Sequence, residues 1–559
     1  MMNLRAQIRA MPSLTWARLL RLNLLARTGL HQDFAGFVRP REAPWRAALA
    51  AARAPRVLIA TNTGGHFALA AVDRLLAVAL TLRGAHVTSV LCDGVLPACM
   101  LCEFNLAPDP QAFARRGPPR LLCRYCHAPA AERLVALDLP LARLSTTLTE
   151  QDHMRAHTFA NELGAEALRS ATWEGLPVGE HAYAGTLRYL ARGSLAEEPQ
   201  GTAILRRYLA ASVLTAIAYD RLVELTRPDV AVVHHGIYTP QGIVAALARA
   251  RGIRVVTWNP AYRRHCFIFS HDDTYHHTLM DEPIVRWAER KLSPSEREAT
   301  LAYLASRADG SGDWIRFHKD PTASDIAQLG LDPRKPFIVA YTNVFWDAQL
   351  HYSANAFQDQ RAWLMQTMHW FAEHPDLQLV VRVHPAEITG SPASRQRAAD
   401  EIAAEFPRLP SNVVVILPES PVSSYGLAKN ANAVLIYGTK IGVELAAIGL
   451  PVIVAGEAWL RNKGVTFDAT SKDHYLELLA RLPFRTRIDP ERQERAIAYA
   501  HHFFFRRMIP LPFVEPVPGP RRFAITVPDL ERLKPGGDPG LDVICNGILG
   551  EMPFEYPPG

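Results

Sequence analysis

Residues 377–464 constrain the fold of this chain more than any other stretch. They read LQLVVRVHPAE, a spacer, then NVVVILPESPVSSYGLAKNANAVLIYGTKIGVELAAIGLPVIVAGEAWLRNKG. Four short runs rich in β-branched residues, 377–383, 413–417, 433–437 and 451–455, are followed or separated by turn residues, and helix-length spacers divide the last three. Buried apolar strands alternating with helical segments predict a parallel sheet with helical crossovers. Ligands of such sheets bind beyond the carboxyl ends of the strands. Arg382, His384 and Glu387 leave one strand, and Gly438, Thr439 and Lys440 leave another and enter a helix. A Gly-Thr turn before a helix offers backbone N–H groups and a positive dipole end to an anion. Glu444, about one turn inside, is placed to accept the hydroxyls of a ribose. The pattern predicts a pocket for a nucleoside mono- or diphosphate.

A second unit of the same kind lies upstream. RVLIA (56–60), the turn TNTGGH (61–66), an apolar helix to about 82 and a strand at 86–91 form a Rossmann-like opening. It lacks the GxGxxG pattern and the acid expected after it, so a dinucleotide site is not supported. DVAVVH (229–234) reads as another buried strand, with His235 and Tyr238 at its exit, followed by a helix at 241–250 and a strand at 254–258. His235 is either a cleft residue or a structural histidine satisfied by backbone. Lys335-Pro336 opens the second Rossmann-like unit with a strand at 337–341, and Asn343 at its exit suits a phosphate oxygen or a sugar hydroxyl. Residues 127–230 read as helical and carry no chemical signal. HDDTYHH (271–277) offers metal-ligand types, but neighbours on an extended chain face opposite ways, so a loop is expected. Glu282 reads as a helix-entry acid, 356–373 and 471–482 as helices, and 487–559 as an aromatic helix with a Pro-rich tail.

Two CxxC pairs, Cys99/Cys102 and Cys123/Cys126, are separated by twenty residues. This spacing suits a closed tetrahedral S4 site, and the intervening EFNLAPDPQAFARRGPPRLL is poor in core material, so a bound metal would give it a reason to be ordered. Structural zinc is the expected occupant, with an Fe–S cluster or four unligated or redox-active thiols as the alternatives; a closed zinc site of this kind has no catalytic position. Cys92, Cys266 and Cys545 read as ordinary buried residues.

The formal charge of +6 on 559 residues is uneven, because Arg5, Arg9, Arg18, Arg21 and Arg27 all fall in residues 1–30, which hold no acid. The rest is close to neutral, so a nucleic-acid-binding surface is not indicated. The basic segment, with Leu14, Trp16, Leu19, Leu20, Leu24 and Leu25, is compatible with a helix that either docks on anionic lipid or packs on the body. No apolar run is long enough for a transmembrane helix, the arginines interrupt any signal sequence, and the cysteine usage is not that of a secreted framework. A cytoplasmic location is expected, with peripheral contact at the inner membrane.

The ordered set R-x-H-P-x-E (382–387), S-x-Y-x-L (423–427) and Y-G-T-K-x-G-x-E-x-A-x-x-G-x-P-V (437–452), with TNVFWDAQ (342–349) and HHGIY (234–238) upstream, resembles the donor half of GT-B glycosyltransferases. It is most similar to the bacterial capsule and surface polysaccharide biosynthesis proteins, which include Kdo transferases, over roughly residues 55–480. The resemblance implies an α/β GT-B fold of two Rossmann-like domains facing a cleft, with the cysteine segment as a small metal-binding insertion. The implied organisation is a basic helical segment and connector (1–54), an acceptor domain (55–290, insertion 97–127), a linker (291–334), a donor domain (335–482), and a C-terminal helix and tail (483–559) that returns to the first domain. It implies transfer of a sugar from a nucleotide-sugar to a glycan or lipid-linked acceptor. Arg382, His384 and Lys440 would neutralise phosphate, Tyr425 would flank the base, and His66, on a turn resembling the acceptor-side loop, would be the base. No DxD motif occurs, so no catalytic metal is expected, and the His-Pro pair raises a CMP-sugar donor. The alternatives are a sugar-nucleotide 2-epimerase and a non-catalytic nucleotide-binding subunit of a polysaccharide assembly complex.

Overall fold

The computed structural model describes residues 12–26, 38, 42–308, 310–314, 326–348, 350, 355–390, 392–517 and 522–558. The first sheet begins with β1 (Arg56–Asn62), β2 (His86–Leu91), β3 (Leu141–Arg143), β4 (Val230–His234), β5 (Arg254–Pro260) and β6 (Cys266–His271). Along β1 the side chains alternate: Val57 and Ile59 enter one core, and Leu58 and Ala60 the other. A strand buried on both faces must be apolar at every position, which explains the unbroken run in the sequence. The second sheet holds β7 (Phe337–Tyr341), β8 (Gln378–Arg382), β9 (Val413–Ile416), β10 (Ala433–Ile436), β11 (Val452–Val454) and β12 (Phe467–Asp468). Every pairing in it is parallel. The helices that lead out of β9 and β10, Ser424–Asn430 and Ile441–Ala447, are only seven residues each.

Spatial order is β3-β2-β1-β4-β5-β6 in the first sheet and β9-β8-β7-β10-β11-β12 in the second. Both are the doubly wound order, which reverses direction between its first and fourth strands and opens a crevice there at the carboxyl ends. The two α/β sheets thus form the two Rossmann-like halves of a GT-B-like arrangement. Their crevices are the β1/β4 exit, with His66 and His235, and the β7/β10 exit, with Thr342 and Lys440.

The chain then crosses back. The helix Pro490–His501 packs in the core of the second sheet, and β13 (Ile509–Pro510) adds antiparallel to β6. The segment read as a Pro-rich tail builds a hairpin of β14 (Val514–Pro516) and β15 (Phe523–Ile525), then the helix Pro539–Gly550. Leu541, Ile544, Cys545 and Ile548 of that helix are buried with Val57 and Ile59. Prolines at strand ends and at the first helical turn are compatible with order.

Three further expectations are revised. Residues 291–334 hold the helix Pro294–Ser306, entered through a Ser293/Glu296 capping box and joined to the second half by Thr300 Oγ1 to His501 Nδ1 at 3.0 Å. Of the stretch read as a loop at 271–277, His271 ends β6 and residues 275–277 open the helix Tyr275–Asp281, capped by Thr274. The cysteine segment contributes core after all, because Phe113 is 2% exposed and stacks on Tyr189 at 4.2 Å. Among the described residues no helix is long and apolar enough to cross a membrane.

Candidate functional site

The β7/β10 crevice is lined by Arg307, Asp313, Tyr341, Thr342, Arg382, His384, Tyr425, Thr439 and Lys440. Its centre is a charged network. Glu444 Oε1 accepts from Arg307 Nε at 3.1 Å and from Lys440 Nζ at 2.9 Å, and Glu444 Oε2 accepts from the Tyr425 hydroxyl. Arg307 also pairs with Asp313, which accepts from Tyr303 Oη at 2.8 Å. The cavity left is about 100 Å³, whereas ligand pockets usually run from about 300 Å³ upward. A larger ligand would enter here only by exchanging with these ion pairs, which hold Arg307 and Lys440 on Glu444. Glu444 is therefore the partner of the two cations, and Tyr425 is hydrogen-bonded to it. The sequence missed Arg307, which lies in the expected linker and follows a helix with no distinguishing local pattern.

His384 is fixed by its own loop. Its backbone N–H donates to Thr342 Oγ1 and its Nδ1 accepts from Ala386 N–H, both at 3.0 Å, which puts the ring proton on Nε2. Arg382 is 1% exposed, and its guanidinium donates to the carbonyls of Val383, Leu417 and Ser420. It lines the crevice but holds the β8 and β9 exits together, so its expected place on phosphate is revised. Gly438 and Thr439 stand at the β10 exit, yet the helix behind them has two turns and Lys440 as its cap. Asn343 is half-buried at the β7 exit, where its Oδ1 accepts from Val344 N–H and its carbonyl from Gln360.

Glu387 is not in the crevice. It is 0% exposed, and Oε1 accepts the Ala398 N–H at 3.0 Å at the start of the helix Ala398–Glu405. Burial raises its carboxyl to about 7. Since the folded value lies above the unfolded one, the folded state gains from the proton at low pH and loses that gain as pH rises from about 4.5 through 7. Glu387→Gln is expected to leave stability near pH 4 unchanged and to raise it at pH 8 by roughly 2–3 kcal/mol, measured by denaturant titration at the two pH values.

Facing this crevice, the β1 and β4 exits bring histidines together. The rings of His234 and His235 lie 5.6 Å apart, His235 and His276 6.1 Å, and His276 and Trp459 of the second half 5.6 Å. His235 adopts φ 64°, and its buried Nδ1 has no hydrogen-bond partner, as is true of His66 Nε2. Burial, then the Arg188 charge, lowers the His66 imidazole to about 4. A base of that strength is neutral at pH 7 but far from the optimum for proton abstraction. Burial also lowers His235.

Arg188 ties this side together and was invisible in the uninformative 127–230 stretch. It pairs with Glu103 at 2.6 Å, donates to the Met100 carbonyl at 2.6 Å, and lies 5.4 Å from the Tyr238 ring centre. The Tyr238 hydroxyl donates to Asp347 of the second half at 3.1 Å. Lys440 in turn lies over the Tyr262 ring of the first half at 4.8 Å. Both halves therefore meet through charged and aromatic groups.

For metals, the expected four-thiol site is not closed in this structure. Cys99 and Cys102 sulfurs are 3.8 Å apart, but among the described residues no three thiols lie within 4.8 Å of one another. Cys123 and Cys126 sit on the first turns of the helix Arg120–Val135. The group that meets this spacing is Glu282, His502 and Glu555. It is already neutralised: Glu282 bonds His502 at 2.9 Å and faces Arg507 at 3.5 Å, and Glu555 pairs with Arg506 at 2.9 Å. Glu282 is thus a buried ion-pair centre and not a helix-entry acid.

The sequence profile of a family described as "Capsule polysaccharide biosynthesis protein" matches residues 299–494, about a third of the chain. That span includes Arg307, Thr342, His384, Tyr425, Lys440 and Glu444. No curated protein matches the chain. Among solved structures, the beta Kdo 2,4 transferase of Thermosulfurimonas dismutans KpsC is similar at 14% identity and TM-score 0.31, over 48% of this chain and 79% of that one. A UDP-GlcNAc 2-epimerase from Neisseria meningitidis is similar at 10% identity and TM-score 0.23, over 80% and 96%. The calicheamicin glycosyltransferase CalG4 is similar at 14% identity and TM-score 0.23, over 80% and 94%. Likenesses at these scores carry no argument about activity.

Proposed function

We propose that this chain is a sugar-nucleotide-handling enzyme that binds its donor at the β7/β10 crevice and acts as a glycosyltransferase of capsule or surface polysaccharide synthesis. The observation that carries the reading is the Arg307–Glu444–Lys440 network at the switch point of a doubly wound sheet. Two cations held on a carboxylate at a strand exit are poised to be transferred to a diphosphate, whose leaving charge they would stabilise. The profile match over 299–494 supports the same placement. In this reading the acceptor hydroxyl approaches from the His66 and His235 side. A lipid-linked acceptor would bring the protein to a membrane surface, where the helix Pro12–Leu25 offers Trp16, Leu20 and Leu24, 58%, 38% and 60% exposed, at spacings of four.

The test is a melting series with CMP, CDP, UDP, GDP and ADP. A nucleotide that binds only the folded state adds about 2.7 kcal/mol at a hundred times its Kd. One base is expected to stand out; no stabilisation by any of the five removes the donor site.

A second reading, a sugar-nucleotide 2-epimerase, is favoured by one observation. The cleft holds two buried carboxylates, Glu103 and Asp347, near Arg188, and epimerisation at a sugar carbon needs an acid and a base on that carbon. Incubation with the UDP-sugar in D2O separates the two: deuterium at C2 marks an epimerase, and acceptor-dependent release of nucleotide without exchange marks a transferase.

A further inference from the structure

We propose that Cys99, Cys102, Cys123 and Cys126 hold a single thiophilic divalent cation of the zinc class, with Cys92 as a fifth thiol beside it, and that this ion sets the Gly64–Gly65–His66 turn at the cleft. The inference does not depend on which nucleotide the donor crevice takes.

Four thiolates at 2.3 Å from a tetrahedral centre stand roughly 3.8 Å apart, and the Cys99 and Cys102 sulfurs are at 3.8 Å. The Cys102 N–H donates to the Cys99 carbonyl at 2.9 Å, which closes a tight turn between the two thiols. The second pair arrives on the helix Arg120–Val135, and Cys126 has Cys99, Cys92 and Cys123 as electrostatic neighbours. The surroundings suit a dianionic centre. Cys123 faces a cavity of about 620 Å³ lined also by Arg116, Arg120, Arg124 and Arg207.

Cys92 was read from sequence as an ordinary core residue. The structure bears this out, with Cys92 buried in the core at the β2 exit. Gly94, at φ +93°, packs on Cys123, where a Cβ would come 3.2 Å from the Cys123 Cβ.

The link to the cleft is direct. Gly65 N–H donates to the Cys126 sulfur at 3.3 Å. A Cβ on Gly64 would lie 2.6 Å from the Cys126 carbonyl oxygen, and one on Gly65 would lie 2.8 Å from Leu101. Gly64 has no room for a Cβ against that backbone carbonyl and Gly65 packs on Leu101, so the turn that carries His66 is moulded on the segments of both cysteine pairs.

The experiment measures metal by mass spectrometry on the full-length protein as purified, and replaces it with cobalt to read the visible bands of tetrahedral thiolate coordination. About one zinc per chain, cobalt bands with that thiolate signature, and retention of both in Cys92→Ala are expected. Cys102→Ser is expected to lose them. Because that variant could fail to fold, hydrogen exchange of residues 61–68 is followed in the wild type before and after chelation, with at least a tenfold faster exchange expected after it. Five alkylatable thiols with under a tenth of an equivalent of metal, a Cys99–Cys102 disulfide, or iron with labile sulfide would each overturn the assignment. Unchanged exchange on metal removal would overturn the coupling to His66.

Discussion

Arg188→Met is expected to destabilise the protein by about 3–5 kcal/mol, the range for stripping one partner from a buried ion pair. The Arg188 and Glu103 side chains are 9% and 8% exposed. Without the guanidinium, the buried Glu103 carboxylate loses the cation at 2.6 Å, the Met100 carbonyl loses a donor, and the Tyr238 ring loses its cation. The comparison that isolates the pair is the double variant Glu103→Gln/Arg188→Met, which removes both charges. It should recover at least half of the loss, because the penalty comes from the buried carboxylate left without Arg188 and not from the absent bridge. Denaturant titration of the wild type, both singles and the double measures this. A single-variant loss below 1 kcal/mol would mean that Glu103 is solvated, contrary to its burial.

Lys440→Met should separate function from stability. Its side chain is 16% exposed, and Glu444 keeps Arg307 and Tyr425 when the ammonium is removed. The expected stability cost is therefore about 1 kcal/mol or less. The expected functional cost is large: loss of the melting-point rise with the preferred nucleotide, and a fall of roughly 10²–10³-fold in turnover, the scale for removing one stabiliser of developing charge. If Lys440→Met binds nucleotide as the wild type does, the ligand does not sit at the β10 exit, and the donor crevice must be sought elsewhere.

The contrast between Lys440 and Arg382 illustrates how far the local pattern reaches. Both are basic residues at strand exits, and in sequence both suit a phosphate. The deciding fact is where the neighbouring carbonyls lie. The loop 417–420 closes over Arg382 and takes its donors, whereas Lys440 meets the Glu444 carboxylate one turn along its own helix. Glu387 follows the same logic: it leaves the strand as expected, but the entry to the helix Ala398–Glu405 captures it.

By itself the sequence determined the two Rossmann-like units and the placement of most strands to within a residue or two. These follow from apolar runs that must be buried on both faces and from the turns that interrupt them, information carried over a few neighbouring residues. The return of the C-terminal segment to the first sheet came from family resemblance and is seen in β13 and the helix Pro539–Gly550. Only the tertiary structure decided which charges meet. Arg188 finds Glu103 across 85 residues, Arg307 finds Glu444 across 137, and Tyr238 finds Asp347 across 109. No periodicity encodes such pairings, because each side chain looks locally like any solvated arginine or acid. The partner is set by how helices stack on the two sheets, and burial then gives the pairing its energy.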